Sequence, residues 1–116
     1  GVPNMCFSVK LSDKDKRQNK FKKQRIKSGF DDSETWSLDF TIAAFILPRL
    51  KRFKELTHGY PGSLASMEEW YTILNKIIKS FEMGIDDNTN WVSKKVCREH
   101  DAGMKLFCKY FSSLWY

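Results

Sequence analysis

SMEEWYTILNKIIKSF, residues 66–81, carries the clearest structural signal in the chain. Ser66 and Glu69 have the spacing of a capping box, in which the Ser66 hydroxyl accepts a hydrogen bond from the Glu69 amide and the Glu69 carboxylate accepts one from the Ser66 amide. Large apolar residues then recur at increments of three, one, three, one and three: Trp70, Ile73, Leu74, Ile77, Ile78 and Phe81. This spacing predicts one amphipathic helix, which Gly84 can end.

A second long helix is predicted upstream, where Ser37 can cap free amides and Asp39 suits the positive end of the helix dipole. Its apolar residues recur at increments of four, three, one, four and three, and we expect this face to be core: Leu38, Ile42, Phe45, Ile46, Leu50 and Phe53. Pro48 offers no amide hydrogen to the carbonyl of Ala44, so we expect a kink there. A turn cluster, HGYPG at 58–62, then separates the two helices.

A third helix is predicted after the polar loop 86–90, with Asn90 as its cap. Its apolar positions are Val92, Val96, Met104, Phe107, Phe111 and Leu114. Gly103 weakens the middle of this helix by about 1 kcal/mol relative to alanine, so a break there is an alternative. No convincing strand is present, and the predicted fold is all-α, with a three-helix core and one basic arm.

The positive charge is concentrated at the N-terminus. Residues 1–30 carry nine Lys or Arg against two Asp, a net +7, whereas residues 31–116 carry eleven basic and twelve acidic residues, a net −1. We therefore predict a basic N-terminal arm, 1–30, that is flexible or partly helical and buries almost nothing, and a helical domain, 31–116. The arm is either a solvated tail or a contact for phosphates or an acidic protein.

The residues predicted to make that contact are Lys14, Lys16, Arg17, Lys20, Lys22, Lys23, Arg25 and Lys27. Arg49, Lys51 and Arg52 extend the set in the second half of the upstream helix, where they also complement the negative end of its dipole.

The remaining composition bounds the class of protein. The length fits one domain, and no apolar run approaches the roughly 18–20 residues of a membrane-spanning helix. Cys6, Cys97 and Cys108 are odd in number, which is typical of reduced intracellular thiols. No signal-peptide pattern opens the chain, so we expect a cytoplasmic protein with no membrane partner. Residues 1–4 precede Met5, and whether they are native stays open.

No arrangement of residues indicates catalysis. Cys97 and His100 are spaced to face one metal ion, but Cys108 lies eleven residues from Cys97, about 16 Å along a helix, too far to share it. The acidic residues occur where loops and helix starts commonly use them, and phosphate-binding and nucleophile motifs are missing. We predict no catalytic residue, no metal and no cofactor.

The C-terminal run 104–116, MKLFCKYFSSLWY, places aromatic residues on more than one helix face. A three-helix domain hides one stripe, so a second aromatic face predicts a homodimer contact or a docking surface for a partner. An ordinary core helix is the alternative. The predicted interface residues are Phe107, Tyr110, Phe111, Trp115 and Tyr116.

Several segments resemble a family of small proteins encoded by tailed bacteriophages and prophages. The similarity lies in Trp36–Asp39, 41–43, 45–55, Gly59–Pro61 and Phe111–Trp115, and it covers most of residues 34–116 but not the arm. The resemblance implies a phage source more than a mechanism. Small non-enzymatic phage proteins commonly occupy a host protein's surface, and some inhibit defence systems such as CRISPR nucleases; a virion or replication accessory is equally compatible.

Two functions are therefore expected, both without enzymatic activity. The first is a helical protein that binds a host protein in the cytoplasm of an infected bacterium, with the basic arm steering it toward an acidic partner. The second is a nucleic-acid-binding accessory protein that uses the arm to contact DNA or RNA. A third alternative, an oligomer that traps a signalling nucleotide between subunits, has no recognisable pocket residues.

Overall fold

The computed structural model describes residues 14–115, and every regular element in that range is helical. Four α-helices follow in chain order: α1 (Arg17–Ser28), α2 (Leu38–Leu56), α3 (Met67–Ile85) and α4 (Lys94–Tyr110). Short 3₁₀ helices cover Asp32–Thr35 and Phe111–Ser113. The all-α class is confirmed, and none of the helices within 14–115 has the length and apolar character needed to cross a bilayer.

The chain divides into two compact units, Gly1–Ile42 and Ala43–Tyr116. The domain boundary predicted at residue 30 stays a prediction. Residues 1–13 of the predicted arm lie outside the described range, as does Tyr116.

Helix α3 forms where its pattern predicts, although it continues through Gly84 and ends at Ile85. Trp70, Leu74 and Ile77 are completely buried, because they lie on the apolar face that the spacing defined. The Ser66 hydroxyl accepts a hydrogen bond from the Glu69 amide at 3.2 Å, but the Glu69 carboxylate accepts its bond from the amide of Ala65 at 2.9 Å. Half of the capping box is therefore present, and the glutamate satisfies the amide one residue earlier than expected.

Helix α4 differs from the prediction at its start and in its middle. Its cap is Ser93 and not Asn90, since the Ser93 hydroxyl accepts a bond from the Val96 amide. Val92 precedes the helix and is 93% exposed, so its place in the predicted apolar stripe of the third helix was wrong. The helix runs unbroken through Gly103, which is buried where α4 packs on α3.

The crossing of α3 and α4 explains why glycine occupies position 103. A Cβ atom there would lie 1.7 Å from the Ser80 Oγ and 2.6 Å from the backbone oxygen of Lys76. The Ser80 hydroxyl also donates a hydrogen bond to the carbonyl of His100 at 2.9 Å. Glycine therefore costs helix propensity but allows the two backbones to approach closely.

Helix α2 continues through Pro48 to Leu56, and a kink at Pro48 stays a prediction. Its buried residues are Ala43, Leu47 and Leu50. The predicted core face is correct in part, because Ile46 and Phe53 also pack against the core. It is wrong for three residues that are about half exposed: Leu38, Ile42 and Phe45. Helix α2 has apolar residues on two sides. The side that carries the small residue Ala43 packs inward.

The core of the second unit consists of two clusters. One joins Leu47 and Leu50 of α2 with Ile77 and Phe81 of α3. The other surrounds Trp70, whose ring meets those of Phe53 and Tyr110 edge to face, with centroids 6.5 and 5.5 Å apart. All three helices of this unit contribute, in agreement with the predicted three-helix core.

In the first unit, α1 is anchored by side chains that follow it in sequence. Phe21 is buried and meets the ring of Trp36 edge to face at 5.7 Å. Asp31 caps the 3₁₀ helix by accepting a hydrogen bond from the Ser33 amide at 2.9 Å, while the Glu34 carboxylate accepts one from the Asp31 amide at 2.7 Å. The expectation that this segment buries almost nothing was therefore wrong for Phe21.

Candidate binding surfaces

Four lysines form a row along α1 and its N-cap residue, Lys16. We call them the lysine row: Lys16, Lys20, Lys23 and Lys27. Their increments of four, three and four place them on one helical face. All four are exposed, and the buried residues Phe21 and Arg25 lie on a different face. The row is about 16 Å long at 1.5 Å per residue. Lys20 also lies 3.6 Å from the carboxylate of Asp32.

Arg25 is placed differently from the rest of the predicted contact set. Its side chain is 8% exposed and donates a hydrogen bond to the Asp31 carboxylate, which is fully buried. The second oxygen of that carboxylate accepts bonds from the amide and hydroxyl of Ser33. The charge of Arg25 is thus neutralised inside the protein, and its role is to hold α1 to the segment that follows.

Arg17 is exposed but has neighbours of its own. Its guanidinium donates to Asp15 at 2.9 Å and lies 5.4 Å from the centre of the Trp36 ring. The hydrogen bonds from Arg17 hold the pKa of Asp15 below its ordinary value, and the same contact raises the pKa of Arg17. Lys14 and Lys22 are exposed outside the lysine row.

The predicted extension on α2 is exposed throughout. Arg49 donates a hydrogen bond to the carbonyl of Phe45 at 2.7 Å, and its guanidinium carbon lies 3.8 Å from the centre of the Phe45 ring. Arg52 pairs with Glu55 at 2.8 Å. Lys51 is exposed as well. All three residues belong to the second unit. Arg49 and Arg52 lie on the same side of α2 as the exposed Phe45.

The predicted C-terminal interface divides into packed and exposed residues. Tyr110 is buried against Trp70, and the Phe107 ring meets that of Phe81 edge to face at 5.1 Å. These two residues belong to the core, as the alternative for this helix predicted. Phe111 and Trp115 are 63% and 76% exposed. Tyr116 lies outside the described residues.

Four apolar residues of the first unit have exposed side chains, which the charge count does not reveal. Each is about half exposed: Ile26, Phe30, Trp36 and Phe40. We call them the apolar anchors. The signal available in the sequence was the density of large apolar residues between Phe30 and Ile42, which exceeds what one stripe of one helix can bury.

The one pair with metal-ligand spacing is explained by packing. Cys97 donates a hydrogen bond to the carbonyl of Trp91 at 3.1 Å, and the His100 ring meets the Trp91 ring edge to face at 4.9 Å. Between residues 14 and 115, no group of three or more His, Cys, Asp and Glu side chains is placed to hold a metal ion.

A groove of about 310 Å³ lies between α3 and α4. Its lining includes Lys76, Lys79 and Glu99, and the last two are paired across it at 3.4 Å. Gly103 and Ala102 supply the rest of the described lining. The described lining therefore holds three charged side chains, two of which are paired with each other.

The chain matches no known protein family, no curated protein and no solved structure. The phage source stays a prediction that rests on the segments quoted above. The function must therefore be argued from the lysine row and the exposed apolar residues.

Proposed function

We propose that this protein is a non-enzymatic binding protein, and that the first unit docks on an acidic surface of a partner protein. The observation that supports it is the combination of the lysine row with four half-exposed apolar anchors in one short segment. Protein interfaces commonly combine an apolar centre with a charged rim, and lysine is more suited to the rim.

The two kinds of side chain have different roles in this proposal. The apolar anchors supply affinity, because aromatic side chains that fill partner pockets dominate binding energies. The lysine row accelerates association with an acidic surface, an effect that salt weakens. The buried Arg25–Asp31 pair and the Phe21–Trp36 contact hold α1 to the segment that carries Trp36.

The nature of the partner follows from the resemblance to phage proteins and is proposed on that ground alone. We propose a host protein in the cytoplasm of an infected bacterium, with a component of a defence system such as a CRISPR nuclease as one candidate. A role for this chain as a virion or replication accessory is the alternative.

Affinity capture from a bacterial lysate, followed by measurement of the identified complex, tests the proposal. Phe30→Ala and the double variant Lys20→Glu/Lys23→Glu should each weaken binding about tenfold or more. Two control variants lie outside the first unit. Lys105→Glu/Lys109→Glu on the exposed face of α4 matches the charge change of the lysine-row variant, and Val92→Ala, like Phe30→Ala, removes an exposed apolar side chain. The proposal fails if the capture finds no partner, or if the control variants weaken binding as much as the first two.

Nucleic-acid binding is a second candidate, favoured by the spacing of the lysine row. Four lysines on one face can neutralise up to about four phosphates, which predicts a slope of about −3 to −4 when log affinity is plotted against log salt. Fluorescence anisotropy with duplex DNA and single-stranded RNA at several salt concentrations measures this slope. Lys20→Glu/Lys23→Glu should reduce it by about two, and an absence of binding at low salt would exclude this candidate.

A further inference from the structure

The exposed side of α4 carries a second group of cations, which the charge of residues 31–116 conceals. That range has a net charge of −1, but α4 alone has five basic and two acidic residues, a net +3. Four of the five basic residues follow one another at increments of four, seven and four, which places them on one side of the helix. We call them the α4 row: Lys94, Arg98, Lys105 and Lys109. The row belongs to the second unit alone and is about 22 Å long at 1.5 Å per residue.

The cations of the α4 row are available to a ligand. All four side chains are exposed. Among residues 14–115, no acidic side chain forms an ion pair with Lys94, Arg98 or Lys105. Lys109 lies over the ring of Tyr110, 5.3 Å from its centre, a contact that leaves its charge uncompensated. The row therefore presents its positive charge to solvent.

The two acidic residues of α4 weaken this charge only in part. Glu99 lies toward α3, where its carboxylate pairs with Lys79 at 3.4 Å. Asp101 lies on the side of the α4 row, and its exposed carboxylate is 3.7 Å from the His100 ring. One acid thus accompanies four cations on this side of the helix.

The remaining residues on this side are small. Ala102 and Cys108 are exposed between the cations, and none of the exposed large apolar residues lies within α4. A protein interface needs an apolar centre, and a helix that binds a lipid surface inserts large apolar side chains. Single-stranded nucleic acid is held largely by stacking on aromatic rings. The backbone of a duplex needs only cations, because neutralised phosphates release their counterions.

We propose that the α4 row binds the phosphate backbone of duplex nucleic acid, without reading its sequence. Duplex DNA carries about one charge per 1.7 Å of its axis, so a row of this length meets a phosphate near every cation. The proposal goes beyond the docking of the first unit on a protein, and it does not depend on the lysine row. The two surfaces differ in chemistry, since the first unit has exposed apolar side chains and the α4 row has none.

Fluorescence anisotropy of the full chain with labelled duplex DNA at several salt concentrations tests the proposal. Four cations predict a slope of about −3 to −4 when log affinity is plotted against log salt. Lys94→Glu/Arg98→Glu and Lys105→Glu/Lys109→Glu should each weaken binding about tenfold or more and reduce the slope by about two. Glutamate suits the first turn of a helix, so the first of these variants preserves α4, and circular dichroism verifies the fold of both.

Two controls separate binding at the α4 row from a general effect of charge. Lys20→Glu/Lys23→Glu makes the same change of net charge on α1 and should weaken binding much less. Asp101→Asn removes the acid beside the row and should strengthen binding at low salt. Duplexes of unrelated sequence should bind equally well, and unlabelled duplex should compete far better than poly-glutamate.

The proposal is overturned if the wild-type chain binds no duplex at low salt, or if the α4-row variants weaken binding no more than Lys20→Glu/Lys23→Glu. Competition by poly-glutamate as effective as that by duplex would also overturn it, because the surface would then suit an acidic protein. None of these measurements involves the partner protein of the first unit. Failure here therefore leaves the proposed function standing.

Discussion

Replacing Gly103 with alanine tests the packing of α3 on α4. The added Cβ atom would lie 1.7 Å from the Ser80 Oγ, 2.7 Å from the Ser80 Cβ and 2.6 Å from the backbone oxygen of Lys76. The serine hydroxyl can rotate away, but it then gives up its hydrogen bond to the His100 carbonyl. The Lys76 oxygen is part of the α3 backbone, so it moves only if the helices separate.

The expected change in stability is the sum of three effects of known size. Alanine in place of glycine favours the helix by about 1 kcal/mol. Overpacking of a buried contact costs about 1–3 kcal/mol, and loss of the Ser80 hydrogen bond costs about 1 kcal/mol more. The helix gain and the hydrogen-bond loss offset each other, so Gly103→Ala should lower the free energy of unfolding by about 1–3 kcal/mol.

Urea denaturation followed by circular dichroism measures this change, and Gly84→Ala is the matched control. Gly84 also lies in a helix, but the nearest atom to an added Cβ is the Ala43 Cβ at 3.8 Å, an ordinary contact. Gly84→Ala should therefore stabilise the protein by up to about 1 kcal/mol. If Gly103→Ala is as stable as the wild-type chain, the close approach of α3 and α4 is not present in solution.

Three further outcomes are expected. Trp70→Ala should lower the free energy of unfolding by about 3–5 kcal/mol in the same urea assay, since the side chain is completely buried. Asp31→Asn leaves the Arg25 charge buried without its counterion, so hydrogen exchange of α1 amides should accelerate about a hundredfold while the α3 amides are unchanged. In an NMR titration, the pKa of Asp15 should lie below its ordinary value of 3.8, because the hydrogen bonds from Arg17 stabilise the carboxylate. The contact is present at higher pH and is lost as the pH falls through the lowered pKa. Arg17→Gln should return the pKa of Asp15 to the ordinary range.

The sequence was sufficient for α3 because its polar and apolar residues alternate with one clear helical period. Its burial follows from that pattern without knowledge of the neighbours. The start of α4 was predicted wrongly. The Asn90 side chain accepts a hydrogen bond from the Val92 amide in the preceding loop, and Ser93 caps the helix instead. Gly103 was read as a weakness because helix propensity is local, whereas its benefit depends on Ser80, which lies on another helix.

The inward face of α2 could not be chosen from periodicity. Two rows of apolar residues run along this helix, one through Leu47 and the other through Ile42, and each satisfies a helical repeat. Which row packs inward depends on the shape of the surface offered by α3, where a small residue such as Ala43 allows close contact. As a consequence, Leu38, Ile42 and Phe45 are about half exposed.

The net charge of the N-terminal segment overstates what a partner meets. Arg25 is neutralised by Asp31, Arg17 contacts Asp15, and Lys20 lies near Asp32. Two of these three acids lie beyond residue 30, so dividing the chain there counts the cations without their counterions. The electrostatic surface is better described by which lysines share a face than by a sum. Binding to an acidic partner should therefore depend on the lysine row, and equal changes of net charge on α4 should have little effect.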